Sequence, residues 1–197
     1  MSNEEMVENE DEEQSEIEFS PEEPEFRIVG LYGDVDEEIC KEAIGALLVY
    51  MHEARSAEEP EAIEMVISTG GGNVADMFAV YDIMRMTREL CDISTLGIGK
   101  VMSAGVLILA AGTKGQRRIG KHCRIMLHHV MTADQGSVAN VKETYIEAER
   151  MEDLMFEALV AESNLNRRQI KKMLRENTDR FFSAEEAVEM GIADIIV

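Results

Sequence analysis

The chain has 197 residues, enough for one domain or for one domain with a tail. Hydrophobic residues make up 45%, sufficient for a substantial core, and the formal charge of −21 argues against binding a nucleic-acid backbone. The longest apolar stretch, Ala104 to Gly112, is far short of the ~20 residues that span a bilayer, and the acidic start lacks the basic and hydrophobic regions of a secretory signal.

Residues 1–25 hold 12 acids and no Lys or Arg, and Pro21 and Pro24 close the segment. Such a stretch buries too little apolar surface to offset its ordering entropy, so it is expected to be disordered. It serves either as a solvated tail or as a gating or docking element. From residue 26 to 197 a single domain is expected, in which strand and helix alternate. Arg27–Tyr32 is a β-rich run, and Asp36–Ala54 carries helical spacing at Ile39, Ala43, Ala46, Leu47 and Tyr50. Ile63–Ser68 predicts a second strand, followed by Thr69-Gly70-Gly71-Gly72 and a helix over Val74–Met86. Ile93–Ile98 predicts a third strand, and Gly99 to Gly105 a turn into an apolar helix reaching about Ala111. Arg124–His128 predicts a strand, Val138–Ser163 a long helix and Asn166–Arg175 a shorter one. Ser183-Ala184-Glu185-Glu186 is a capping box opening a last helix, and Ile192–Val197 is a final apolar run. This order predicts an α/β domain with mostly parallel strands and right-handed crossovers. The long helix, with an apolar stripe that includes Val141, Tyr145 and Met155, exceeds so small a sheet and is expected to project toward another subunit.

Three cysteines, Cys40, Cys91 and Cys123, are an odd number without Cys-x-x-Cys spacing, which predicts reduced thiols in a cytoplasmic protein. No metal framework or nucleotide loop is visible, so neither metal nor cofactor is expected.

Four elements carry possible chemistry. Ser103 stands between a strand and an apolar helix, where a sharp turn exposes a hydroxyl and the following amide, that of Ala104, faces a developing oxyanion. A serine before a helix is also an ordinary N-cap. Gly71 and Gly72 let backbone amides approach a ligand closely, although a glycine run is equally a flexible turn or an anion-binding loop. His128 and His129 end a strand; imidazole titrates near ~6.5 and can accept a serine proton at neutral pH. Adjacent strand residues point to opposite faces, so the two can hardly share one site. The residues alone do not say which one faces Ser103. Asp179 is a carboxylate able to fix an imidazole tautomer, or a surface partner of Arg180.

Together these segments resemble the Clp protease proteolytic subunit (ClpP) over nearly all of residues 27–197. The resemblance rests on Ser68-Thr69-Gly70-Gly71-Gly72 followed by Tyr81-Asp82, and on Gly99 to Gly105 followed by Ala111-Gly112-Thr113-Lys114-Gly115. Arg124-Ile125-Met126-Leu127-His128 and Asp179-Arg180-Phe181-Phe182-Ser183-Ala184-Glu185-Glu186-Ala187 complete it. It implies a ClpP/crotonase-like fold and a serine endopeptidase with Ser103 as nucleophile, His128 as base and Asp179 as its orienting partner. It also implies oxyanion amides at Ala104 and Gly72 or Gly71.

The same resemblance implies a self-compartmentalised homo-oligomer of one or two heptameric rings, joined through a handle helix at about 135–163. Its substrates would be unfolded polypeptides, fed by an ATP-driven unfoldase. The chain departs from the family pattern in several places. Gly70 replaces a proline, Ala104 a methionine, and Glu64 and Val66 tyrosines of the unfoldase-docking pocket. The handle lacks a Gly-Gly pair before Gln135-Gly136, and the acidic segment stands in place of an axial loop. Compact relatives of this kind occur in bacteriophages. Two rival readings share the fold: a crotonase-type acyl-CoA enzyme, and a catalytically inactive ring-forming assembly protein.

Overall fold

The computed structural model describes residues 27–175 and 178–197; the expected tail at 1–25 lies outside them. β1 (Ile28–Val35), β2 (Ile63–Gly72) and β3 (Ile93–Met102) form a parallel core, with α1 (Glu37–Ala54) and α2 (Val74–Arg88) as crossovers. Each crossover starts on a side-chain cap: Asp36 accepts from the Ile39 amide, and Asn73 accepts from Ala75 and Asp76. Alternation along β2 buries Ile63, Met65 and Ile67 under the helices and leaves Glu64 and Val66 half-exposed on the other face.

Beyond β3 the sheet forks. β4 (Arg117–Ile119) pairs with the first part of β3 and with β7 (Ile195–Ile196), all parallel. β5 (Arg124–Leu127) runs parallel to the last part of β3, from Lys100 to Met102, and β6 (Arg180–Phe182) pairs antiparallel with β5. α3 (Ala104–Ala110) is buried along its whole length behind this fork. The α/β, mostly parallel architecture expected from the sequence is therefore the one found.

α4 (Val138–Glu162) has 25 residues, a length of about 37 Å. Its second half packs on the core through Met155, Phe156, Ala158 and Leu159, whereas Val138, Val141, Tyr145 and Ile146 of the first half are exposed. The predicted apolar stripe is thus divided, and among the described residues only its C-terminal part has a partner. α5 (Arg167–Met173) and α6 (Ala184–Glu189) each start with a full capping box, at Asn166/Gln169 and Ser183/Glu186.

Three strands exceed their expected lengths, β1 by continuing through Val35. β2 continues through Gly72 and β3 through Met102, because both ladders extend past the glycines with an irregularity in register. β4 and β6 are not among the predicted strands. Each has three residues and is defined by its partner rather than by its own alternation.

Candidate active site

The fork in the sheet creates the site. β3 ends at Met102, α3 starts at Ala104, and only Ser103 separates them. Ser103 has φ 52° and ψ −119°, the one non-glycine with positive φ among the described residues. A residue with a Cβ holds such a backbone at a cost of about 1–3 kcal/mol, so the surroundings must fix it. They do so on two sides. The Ser103 amide donates to the Met126 carbonyl of β5 at 2.7 Å, and Gly71 sits so close that a Cβ there would lie 2.5 Å from Ser103 Cβ. The serine hydroxyl makes no capping bond to α3, which sets it apart from an ordinary N-cap. Ala104, as the first helical residue, has no intrahelical acceptor for its own N–H.

Gly71 and Gly72 form the opposite wall. Gly71 has φ +94° and its amide donates to Thr69 Oγ1 at 3.0 Å, so that N–H is already engaged. Gly72 packs against Val35 so tightly that a Cβ would come within 2.2 Å of its carbonyl oxygen. Of the two glycine amides considered for an oxyanion, that of Gly72 is the one not spent on Thr69.

Ser103, Gly71, Gly72, His128 and His129 all line one groove of about 350 Å³, together with Asp34, Val74, Val130, Met131 and Met155. The two histidines do share a site, contrary to the strand-alternation expectation. β5 stops at Leu127, so residues 128 and 129 lie past the pleat that would separate them. Their rings are used differently. His129 Nδ1 lies 2.9 Å from Glu152 Oε2 and its Nε2 lies 2.9 Å from the Leu174 carbonyl, so both nitrogens are committed. His128 Nδ1 lies 2.5 Å from the His129 carbonyl. A carbonyl only accepts, so Nδ1 carries the hydrogen and the neutral ring presents a lone pair at Nε2.

Asp179 is exposed, does not border the groove and forms no hydrogen bond with the described residues. Its backbone nevertheless points to His128. The β5–β6 ladder pairs Ile125 with Phe182, Met126 with Phe181 and Leu127 with Arg180; one more step sets His128 opposite Asp179. Cross-strand neighbours on one face have Cβ atoms about 4.5–5.5 Å apart. The ladder ends one pair short of that contact.

Val74, Val130 and Met131 also border an adjoining groove of about 670 Å³ that runs along α4 past Thr144, Glu147 and Met151. A larger one of about 1030 Å³ lies between α2 and α4, away from Ser103. Its polar wall is Tyr81 and Arg88 bonded to the buried Glu162. Burial and, next, the Glu162 charge push the Tyr81 phenol up to about 12, so it stays a neutral donor. Among the described residues no group of three His, Cys, Asp or Glu is gathered to hold a metal ion, and no helix is long and apolar enough to cross a membrane. Sequence reasoning missed the Met126 carbonyl, the Thr69 hydroxyl and the His129–Glu152 contact, none of which has a local signature.

Comparison with known proteins adds an independent line. The family model described as Clp protease matches residues 20–197. The chain is 32% identical over 173 residues to the ATP-dependent Clp protease proteolytic subunit 1 of Corynebacterium jeikeium (strain K411), covering 87% of each chain. It is 34% identical over 173 residues to the ATP-dependent Clp protease proteolytic subunit 4 of Rhodococcus jostii (strain RHA1), covering 87% of this chain and 84% of that one.

Proposed function

This chain belongs to the Clp protease family, and we propose that it is a serine endopeptidase acting through Ser103, His128 and Asp179. The observation that carries the proposal is the positive-φ serine at the strand-to-helix junction, packed against Gly71 and beside an imidazole whose free nitrogen is Nε2. Ser103 Oγ attacks the peptide carbonyl carbon while its proton passes to His128 Nε2. The amides of Ala104 and Gly72 hold the oxyanion. His128 then gives the proton to the leaving amine, and water reverses the sequence on the acyl-enzyme. Each oxyanion donor is typically worth ~10²–10³ in rate. The His129 carbonyl keeps the correct tautomer at rest, and a one-pair extension of the β5–β6 ladder brings the Asp179 charge to the imidazolium as it forms.

The adjoining groove along α4 suits an extended polypeptide, with Val74 and Met131 offering apolar contact beside the nucleophile. The exposed apolar half of α4 supports homo-oligomerisation, with one or two heptameric rings as the arrangement. The subunit is placed in the cytoplasm by this reading, and an ATP-driven unfoldase is its feeding partner. The acidic segment at 1–25 biases entry against acidic substrates; deleting residues 2–25 is expected to raise cleavage of acidic peptides at low salt, and an unchanged salt dependence contradicts that role.

A fluorophosphonate probe tests the chemistry. Covalent labelling of Ser103, lost in Ser103→Ala, is the expected result. A wild-type particle that is assembled yet unlabelled, or labelled elsewhere, overturns the mechanism and favours the inactive assembly reading. Binding of a CoA thioester without labelling favours the crotonase-type one.

A further inference from the structure

The neighbour of the proposed base has its own network. His129 lines the same groove as Ser103 and His128, and its ring bridges three segments of the chain. Nδ1 meets Glu152 Oε2 of α4 at 2.9 Å, and Nε2 meets the carbonyl of Leu174, the C-cap of α5, at 2.9 Å. The same Glu152 oxygen accepts the Val130 amide at 3.0 Å, and Phe156 of α4 lies edge-on to the ring. Leu174 offers a carbonyl and Glu152 a carboxylate, and both are acceptors. The ring satisfies both only with hydrogen on each nitrogen, that is, as an imidazolium. A neutral ring turns one lone pair toward an oxygen. The other titratable groups on this groove are His128 and, on β1, Asp34.

We propose that His129 is a positioning residue for the reaction, acting through His128. Its imidazolium ties the end of β5 to α4 and to the end of α5, which fixes the plane of its own peptide group. That peptide carbonyl is the oxygen 2.5 Å from His128 Nδ1. While it stays in place, the base presents Nε2 as an acceptor to Ser103. When the clasp opens, the carbonyl is released and the tautomer is no longer set.

This inference rests on the serine-peptidase reading, and the experiment separates the two. The assembled protein and its His129→Leu, His129→Gln and Glu152→Leu variants are assayed for peptide hydrolysis and for the rate of fluorophosphonate labelling at Ser103. His129→Leu and Glu152→Leu are each expected to lower kcat at least ~10-fold with KM within ~2-fold, because the base is misdirected while the groove is kept. The amide nitrogen of a glutamine reaches only one of the two acceptors, which sit on opposite sides of the ring, so His129→Gln is expected to fall between wild type and His129→Leu. His129→Leu acting at the wild-type rate or faster overturns the proposal, as does a loss that lies in KM rather than in kcat. If wild type itself leaves Ser103 unlabelled, the peptidase reading fails instead. If wild type labels and His129→Leu labels equally fast, only the positioning role fails.

Discussion

At the scale of single residues, the site depends on atoms that leave no room for change. Gly71→Ala places a Cβ 2.5 Å from Ser103 Cβ and 2.9 Å from the Met102 carbonyl, at a φ of +94°. The backbone term alone costs about 1–3 kcal/mol, and Ser103 must shift. Labelling of Ser103 in this variant is expected to slow at least ~100-fold, and a wild-type labelling rate contradicts the packing argument. The three buried thiols make a contrasting prediction. Burial, the largest cause in each case, pushes Cys40 and Cys123 up to about 11 and raises Cys91, so little reactive thiolate exists near neutrality. Alkylation of Cys40 and Cys123 in the native protein at pH 8 is expected to be about 100-fold slower than in the urea-unfolded chain. Ser103 and the glycines were readable from sequence because strand, turn and helix types converge on them. The choice between Gly71 and Gly72 was not, since it turns on the Thr69 hydroxyl, a contact made only after folding.

At the scale of elements, the long strands, both crossovers and the Ser183 capping box were legible because periodicity and caps are local properties. β4 was not, and its physics explains why. Arg117 is only 4% exposed, yet it sits in a strand because its guanidinium meets Asp194 at Nε and Nη2 and donates through Nη1 to the Ala110 and Glu162 carbonyls. No local propensity announces an arginine whose partners lie far along the chain. The Arg117 hydrogen bonds hold the Asp194 carboxyl below the usual carboxylate range. A depressed carboxyl contributes stability above its unfolded pKa and loses it as pH falls through the folded one. Asp194→Ala leaves a buried cation unpaired and is expected to cost about 3–5 kcal/mol at pH 7 by urea unfolding. The gap between wild type and Asp194→Asn is expected to shrink as pH drops below ~4. A gap independent of pH rules out the pair as its source.

At the scale of the whole molecule, the departure from a self-contained fold is α4. Val141 and Ile146 are 40% and 39% exposed on its first half, so their replacement removes little burial within the chain. Val141→Glu with Ile146→Glu is expected to reduce particle mass at least twofold by light scattering while shifting the melting temperature of the dissociated subunit by no more than ~2 °C. Unchanged mass places the oligomer contacts elsewhere. The sequence indicated that this helix outgrows its sheet, yet a single chain does not specify what covers the free stripe. The same holds for the proposed joining of His128 to Asp179. The β5–β6 register aligns their backbones, but the ladder halts one pair earlier, and nothing in either motif encodes where a ladder halts.

The backbone of Ser103 has a practical corollary. At φ 52° and ψ −119° a glycine is at ease where serine or alanine is not. Ser103→Gly is therefore the better inactivating change, expected to be about 1 kcal/mol more stable than Ser103→Ala in thermal denaturation. On the proposed ring assembly such a variant would hold polypeptides without cutting them, and mass spectrometry of what it retains inside cells would name its substrates.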